Sequence, residues 1–376
     1  MAVESAVRAA APATVEDFAQ ALRDAGAAGR SIELRGAGSK QRMAGPVAAA
    51  EVAISTASLR RVLQYEPDDL TISVQAGMPW RELAALLATH RQMIALDAPF
   101  FDTATVGGIV AANTSGPRRR LYGTARDLII GMKFVTLEGK TVSSGGMVVK
   151  NVAGLDMAKL MIGSFGTLAA IAVVNFKVLP IPEATRTFVQ RFESADEAFA
   201  ARDLLLRSVL QPAALDMLNP AASVRVGLDG WALVLEAAGT AAVLECYSAE
   251  LPRAERIEGE PQRALWEAIR EFTPRWLAEN PDGVVVRRSV TLTGVADAMR
   301  SAMGPAVARA GNGIAYLYGE RAASGRGAVV EFAPQPFRER EVLWPEPGSD
   351  FELMTQVKRL FDPGMLLNKG RLYGRI

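Results

Sequence analysis

The sequence predicts an α+β protein in two domains, and three observations carry that expectation. Glycine-rich turns punctuate a mixture of strand- and helix-type runs up to about residue 180. A long β-type run then ends at Pro180-Ile-Pro182, the clearest break in the chain. Beyond it the composition shifts, and strand and helix candidates alternate again until a last helical segment. We therefore place a first domain at 1–182, a second at 183–345, and a closing segment at 346–376 that returns to the first. Thr14-Val-Glu-Asp17 opens an apolar-periodic run with the pattern of an N-capped helix, reaching about Ala25. Strands are predicted at 31–35, 52–55 and 70–76, the last with Leu70, Ile72 and Val74 in alternation. Pro79 stands where a helix over 80–89 should begin. Residues 134–142 read as a hairpin around Glu138-Gly139, and 168–178 as a long strand. In the second domain, helices are expected at 194–209, 263–272 and 294–302, and strands at 232–236, 284–288, 314–318 and 328–332. A final helix spans 350–360.

Composition excludes more than it suggests. The 376 residues contain one His and one Cys. No disulfide can close within the chain, and no Cys cluster can hold zinc or an iron–sulfur centre. A Ser–His–Asp triad would require His90 itself. The formal net charge of +1 supplies no field that would gather nucleic acid. Mean hydropathy is +0.13, yet the longest uncharged stretch, 160–176, is shorter than the ~20 residues a membrane span requires. The N-terminus lacks the basic start and apolar centre of a signal peptide. Cytoplasmic residence is expected, peripheral to the inner face of the membrane only through partners.

The remaining signal is glycine. Gly36-Ala37-Gly38-Ser39 follows a strand, Gly107-Gly108 follows Thr105-Val106, and Gly163-Ser164-Phe165-Gly166-Thr167 precedes the long strand. Such turns let the backbone approach closely and present successive N–H groups as a positive concavity, for which a pyrophosphate is the natural guest. A Rossmann fingerprint would need a third glycine that Ser39-Lys40-Gln41-Arg42 does not supply, and a P-loop would need Gly-Lys-Ser/Thr where this chain has Gly38-Ser39-Lys40.

Taken in order, five motifs resemble the vanillyl-alcohol-oxidase, or FAD-linked oxidase, superfamily. They are Leu34–Ser39, the stretch from Glu66-Pro67 to Gly77, Thr105–Asn113 with Tyr122-Gly123 and Asp127 behind it, Gly154–Leu168, and Phe361–Arg371. Lys150–Asp156, with Gly145-Gly146 before it, narrows the resemblance to the FAD-binding E subunits of bacterial glycolate oxidases. The resemblance implies a PCMH-type FAD-binding domain of two α/β subdomains and an α+β cap with an antiparallel sheet. It implies cofactor contacts from Arg35, Gly36, Ala37, Gly38, Ser39, Lys40, Thr105, Gly107, Gly108, Asn113, Gly123, Gly163, Ser164, Gly166, Ile171 and Asn368. It also implies oxidation of glycolate or a related D-2-hydroxy acid to the 2-oxo acid, with a larger FAD-bearing subunit and a Cys-rich iron–sulfur subunit as partners.

Three departures qualify that picture. No His or Cys stands beside the first or second loop, so FAD is expected to be non-covalent. Phe165 occupies a place where a Glu is common, and it is expected near the flavin or in the core. The stretch Gly311–Tyr316 lacks the His of the family's hydroxyacid dehydrogenases, so no proton acceptor is evident and the catalytic residues are unknown. No metal ligands are assigned. A stand-alone FAD-dependent oxidase using Tyr, Asp or Glu, and a non-catalytic assembly subunit, remain alternatives. Arg287 and Arg288 could clamp a carboxylate or be solvated, Arg118–Arg120 read as a solvated loop or a subunit interface, Cys246 as a core thiol and His90 as a helix-end residue.

Overall fold

The structure, a computed structural model, describes residues 8–147, 155–319 and 327–376. The Lys150–Gly154 part of the narrower motif lies outside the described residues. The chain divides into two compact units. The first comprises 1–114, 124–180 and 346–376, and the second 115–123 and 181–345. The sequence-based division differs in two respects: 115–123, assigned by position to the first domain, belongs to the second unit, and that unit resumes at 181 rather than 183.

The first unit holds two sheets. In the smaller, strands Arg8–Ala10 and Ile32–Arg35 flank Val52–Ser55, all parallel. The helix Val15–Ala27 covers it, with Phe18 and Leu22 fully buried against Ile32, Ile54 and Leu59, each worth about 1.5–3 kcal/mol on leaving water. Thr14 caps this helix as expected, its hydroxyl accepting from the Asp17 N–H at 3.0 Å. The larger sheet is antiparallel, in the order Val62–Glu66, Thr71–Gln75, Ala170–Lys177, Ile129–Val135, Thr141–Gly145. Thr71–Gln75 is buried throughout. It starts one residue later than the alternation suggests, because Leu70 adopts a left-handed φ of 53°. The helices Trp80–Ala88 and Val106–Ala112 share the core of this sheet, and Trp80 meets the Phe176 ring edge-on.

The second unit is an eight-stranded antiparallel sheet. Its order is Glu255–Ile257, Ala184–Phe192, Trp231–Gly239, Ala214–Leu218, Ala306–Arg309, Ile314–Gly319, Val284–Ser289, Ala328–Phe332. One face is apolar, with Phe188, Leu215, Met217, Leu233, Leu235, Val286 and Leu317 packed among residues of the helices Ala195–Arg207, Ala241–Glu250 and Val295–Arg300. The register places Thr187, Glu236, Asp216, Arg309, Tyr316 and Arg287 on the opposite face.

Candidate functional site

In the first unit the predicted loops converge. The strand Ile32–Arg35 runs straight into Gly36, and a Cβ there would collide with the Thr105 hydroxyl, so the first loop lies against the second. Gly38 takes a φ of +77°, a left-handed conformation that glycine adopts readily. Among the described residues, no backbone carbonyl accepts from the N–H groups of Ala37, Gly38 or Ser39. These are the donors an anion would take up. Lys40 is nearly buried, with its ammonium 5.4 Å from the centre of the Phe100 ring. Arg35 is partly exposed and lies 3.7 Å from the Glu33 carboxylate.

The second loop is spent differently. Thr105 caps the Val106–Ala112 helix, its hydroxyl accepting from the Gly108 N–H. The Gly107 N–H donates to Ala76 O at 2.7 Å, and a Cβ at Gly107 would lie 2.8 Å from Ala76 Cβ. Gly107 thus serves close helix–strand packing, whereas a Cβ at Gly108 would meet only the Thr105 hydroxyl. Asn113 ends the helix in left-handed conformation (φ 49°) and is exposed.

The third loop docks on the end of this helix. Gly163 N–H donates to Val110 O at 3.1 Å and Phe165 N–H to Ala111 O at 2.9 Å. The buried Ser164 hydroxyl donates to Met161 O. Phe165 holds a φ of 53°, and the Arg371 guanidinium lies 5.7 Å from its ring centre. Ile171 belongs to the apolar core of the larger sheet. From the C-terminal segment, Asn368 is 2% exposed and joins the first loop to the third. Its Oδ1 accepts from Leu34 N–H at 2.7 Å, and its Nδ2 donates to Leu34 O at 3.2 Å and Phe165 O at 2.6 Å. Of the predicted positions, Gly123 stands apart in the second unit, where it ends the short helix Arg119–Tyr122.

An unfilled set of backbone donors on a glycine loop, walled by Thr105 and tied by Asn368 to a second left-handed loop, suits a dinucleotide pyrophosphate. Comparison with known proteins decides which one. Residues 7–145 match the family described as FAD binding domain. This segment is an FAD binding domain. Over 189 residues the chain is 34% identical to glycolate oxidase subunit GlcE of Escherichia coli, covering 50% of this chain and 52% of that protein. It is 29% identical over 161 residues to glycolate oxidase subunit GlcD of Bacillus subtilis, covering 43% of this chain and 34% of that protein. It is 31% identical over 168 residues to D-lactate dehydrogenase of Anaerostipes hadrus, covering 45% and 35%. The matches thus span about half or less of these curated relatives. In fold, the chain resembles p-cresol methylhydroxylase with substrate bound (TM-score 0.75, 14% identity, 96% of this chain and 88% of that one). It also resembles 4-ethylphenol oxidase from Gulosibacter chungangensis (TM-score 0.72, 12% identity, 98% and 89%). The chain is therefore an FAD-linked protein with a PCMH-type fold, as the motifs imply.

The second unit carries charged groups whose partners the sequence did not show. Arg118, read as solvated or as part of a subunit interface, makes a bidentate pair with the 3%-exposed Glu236, at 2.8 Å and 3.0 Å. Arg309 pairs with the fully buried Asp216 and lies over the Tyr316 ring. Arg287 Nε stands 3.4 Å from Glu331 Oε1. Glu331 falls at a bulge, where the pairing register of Ala328–Phe332 with Val284–Ser289 shifts. Burial raises the Glu331 carboxyl above its ordinary range, against the pull of Arg287, Arg309 and Arg119. Burial, with Glu331 nearby, also raises the Tyr316 phenol. Single charges inside apolar strands, as in Ala214-Leu-Asp-Met-Leu218 and Ala306-Val-Ala-Arg309, were the available signal for this face. Cys246 departs from expectation: it is exposed, because the 241–250 helix buries Leu244, Tyr247 and Ser248 on the other side.

Proposed function

We propose that this chain is the FAD-binding subunit of a complex that oxidises a 2-hydroxy acid, glycolate first, to the 2-oxo acid and passes electrons to a Cys-rich iron–sulfur partner. The similarity to glycolate oxidase subunit GlcE, over half of this chain, together with the FAD binding domain match at 7–145, supports this reading. Bound FAD would supply a two-electron acceptor. Within the first unit, the N–H groups of Ala37, Gly38 and Ser39 would hold the pyrophosphate, Gly36 would let it approach, and Asn368 would keep the first and third loops in register. Neither loop offers a His or Cys for a covalent link, which supports a non-covalent cofactor. In the second unit, Arg287, a third exposed, is the group suited to a substrate carboxylate.

A stand-alone oxidase is the second reading, and Glu331 favours it. A carboxyl raised by burial beside Tyr316 could accept the proton that the family's absent His would otherwise take. The two readings separate when the chain is purified alone and co-expressed with its partners, its flavin spectrum recorded, and glycolate added without oxygen. Bleaching confined to the complex is the expected result; bleaching of the lone chain would favour the second reading. No helix among the described residues is long and apolar enough to cross a membrane, so attachment through the partners is the arrangement we propose.

A further inference from the structure

Lys358 is fully buried, and nothing so far gives it a task. It lies in the last turn of the helix Phe351–Phe361. Its ammonium has three donors, and three acceptors meet it: Asp362 Oδ2 at 2.5 Å, Thr167 O at 2.6 Å and Leu367 O at 3.0 Å. Asp362 Oδ2 also accepts from the Leu367 N–H at 2.7 Å. A buried ammonium is costly unless its hydrogen bonds are complete, and here they are. Its acceptors are not scattered. Thr167 closes the third loop, with its hydroxyl on Ser164 O. Leu367 precedes Asn368 and forms a parallel bridge to Ile32, on the strand that enters the first loop. One nitrogen thus fastens the loop at 163–167 to the tail that positions the loop at 36–40.

From this we infer that Lys358, with Asp362 as its counter-ion, is a positioning residue for FAD: it sets the spacing between the first and third loops without touching the cofactor. The inference rests on the FAD reading and goes beyond it, since neither residue is among the cofactor contacts expected from the sequence. A helix interior needing only stability would be served by an apolar side chain at 358. A lysine can instead draw two backbone carbonyls from different segments to one point, as Lys358 does with those of Thr167 and Leu367.

The test titrates the full-length apo chain with FAD, following flavin fluorescence and the fine structure of the visible band, and records thermal unfolding of the apo chain. Lys358→Met should weaken FAD binding by about tenfold or more, the scale of one lost charged hydrogen bond. The double variant Lys358→Met/Asp362→Asn removes the stranded charge, so its unfolding midpoint should recover toward wild type while FAD affinity does not. Recovery of both, or unchanged affinity in the single variant, would overturn the inference. Should the variants not fold, hydrogen exchange on the wild type decides: FAD should protect 163–168 and 362–368 together, and protection confined to 36–40 would overturn it. A wild-type chain that takes up no FAD would sink the cofactor reading itself, a different outcome from either.

Discussion

Asn368 shows how much one side chain can carry. Its amide holds Leu34 from both sides and reaches Phe165, within a residue left 2% exposed. Truncation would strand the Leu34 N–H and the Phe165 carbonyl, at about 1–3 kcal/mol for each buried group. Asn368→Ala should therefore lower the urea midpoint of the apo chain and weaken FAD binding, both readable in one titration series. Asn is also apt for this place because its φ is 44°, a conformation Asn tolerates better than most residues. Glu331 makes a prediction of another kind. Its folded pKa lies above the ordinary value of 4.5 because burial penalises the charge. Between those two values the folded chain holds a proton that the unfolded chain has released, so stability from this group falls as pH rises through that window. Urea midpoints measured upward from pH 4.5 should decline in the wild type, and Glu331→Gln should flatten the decline. An unchanged slope would mean that Glu331 ionises as an exposed carboxylate does.

At the scale of elements, the 241–250 helix makes the plainest prediction. Leu244, Tyr247 and Ser248 define its buried face, and Cys246 projects from the opposite side. Native chain should react completely with a thiol reagent at the rate of an exposed cysteine, without denaturant. Slow labelling would restore the core thiol expected from the neighbouring apolar residues. That error has a physical origin: Val243, Leu244, Cys246 and Tyr247 look periodic, but only one phase of the period meets the sheet. Elements with strong local signals were legible. Thr14 and Ser194 cap their helices as capping residues do, and Pro79 precedes Trp80–Ala88. The hairpin around Glu138-Gly139 forms, with strands longer than expected. The strands Ala214–Leu218 and Ala306–Arg309 were not legible. Asp216 and Arg309 interrupt each apolar pattern, and only the cross-strand register shows that the two interruptions satisfy each other. The segment 115–123 was misassigned for a similar reason. Position along the chain says nothing of Arg118 finding Glu236, a residue 118 positions away.

At the scale of the whole molecule, the glycine loops themselves were legible because their chemistry is local: turns, left-handed residues and a capping threonine. Their fastening was not, since Asn368 and Lys358 reach them from the far end of the chain. The scarcity of His and Cys bears on the same scale. One cysteine cannot assemble a cluster, so onward electron transfer falls to another chain in the reading proposed here. The central proposal is that the first unit holds FAD without a covalent bond. The most direct measurement is the flavin content of the purified, FAD-reconstituted chain before and after acid precipitation. The account predicts about one flavin per chain, as one cradle requires, all of it released into the supernatant as FAD. Flavin retained in the protein pellet, or none bound at the start, would contradict it.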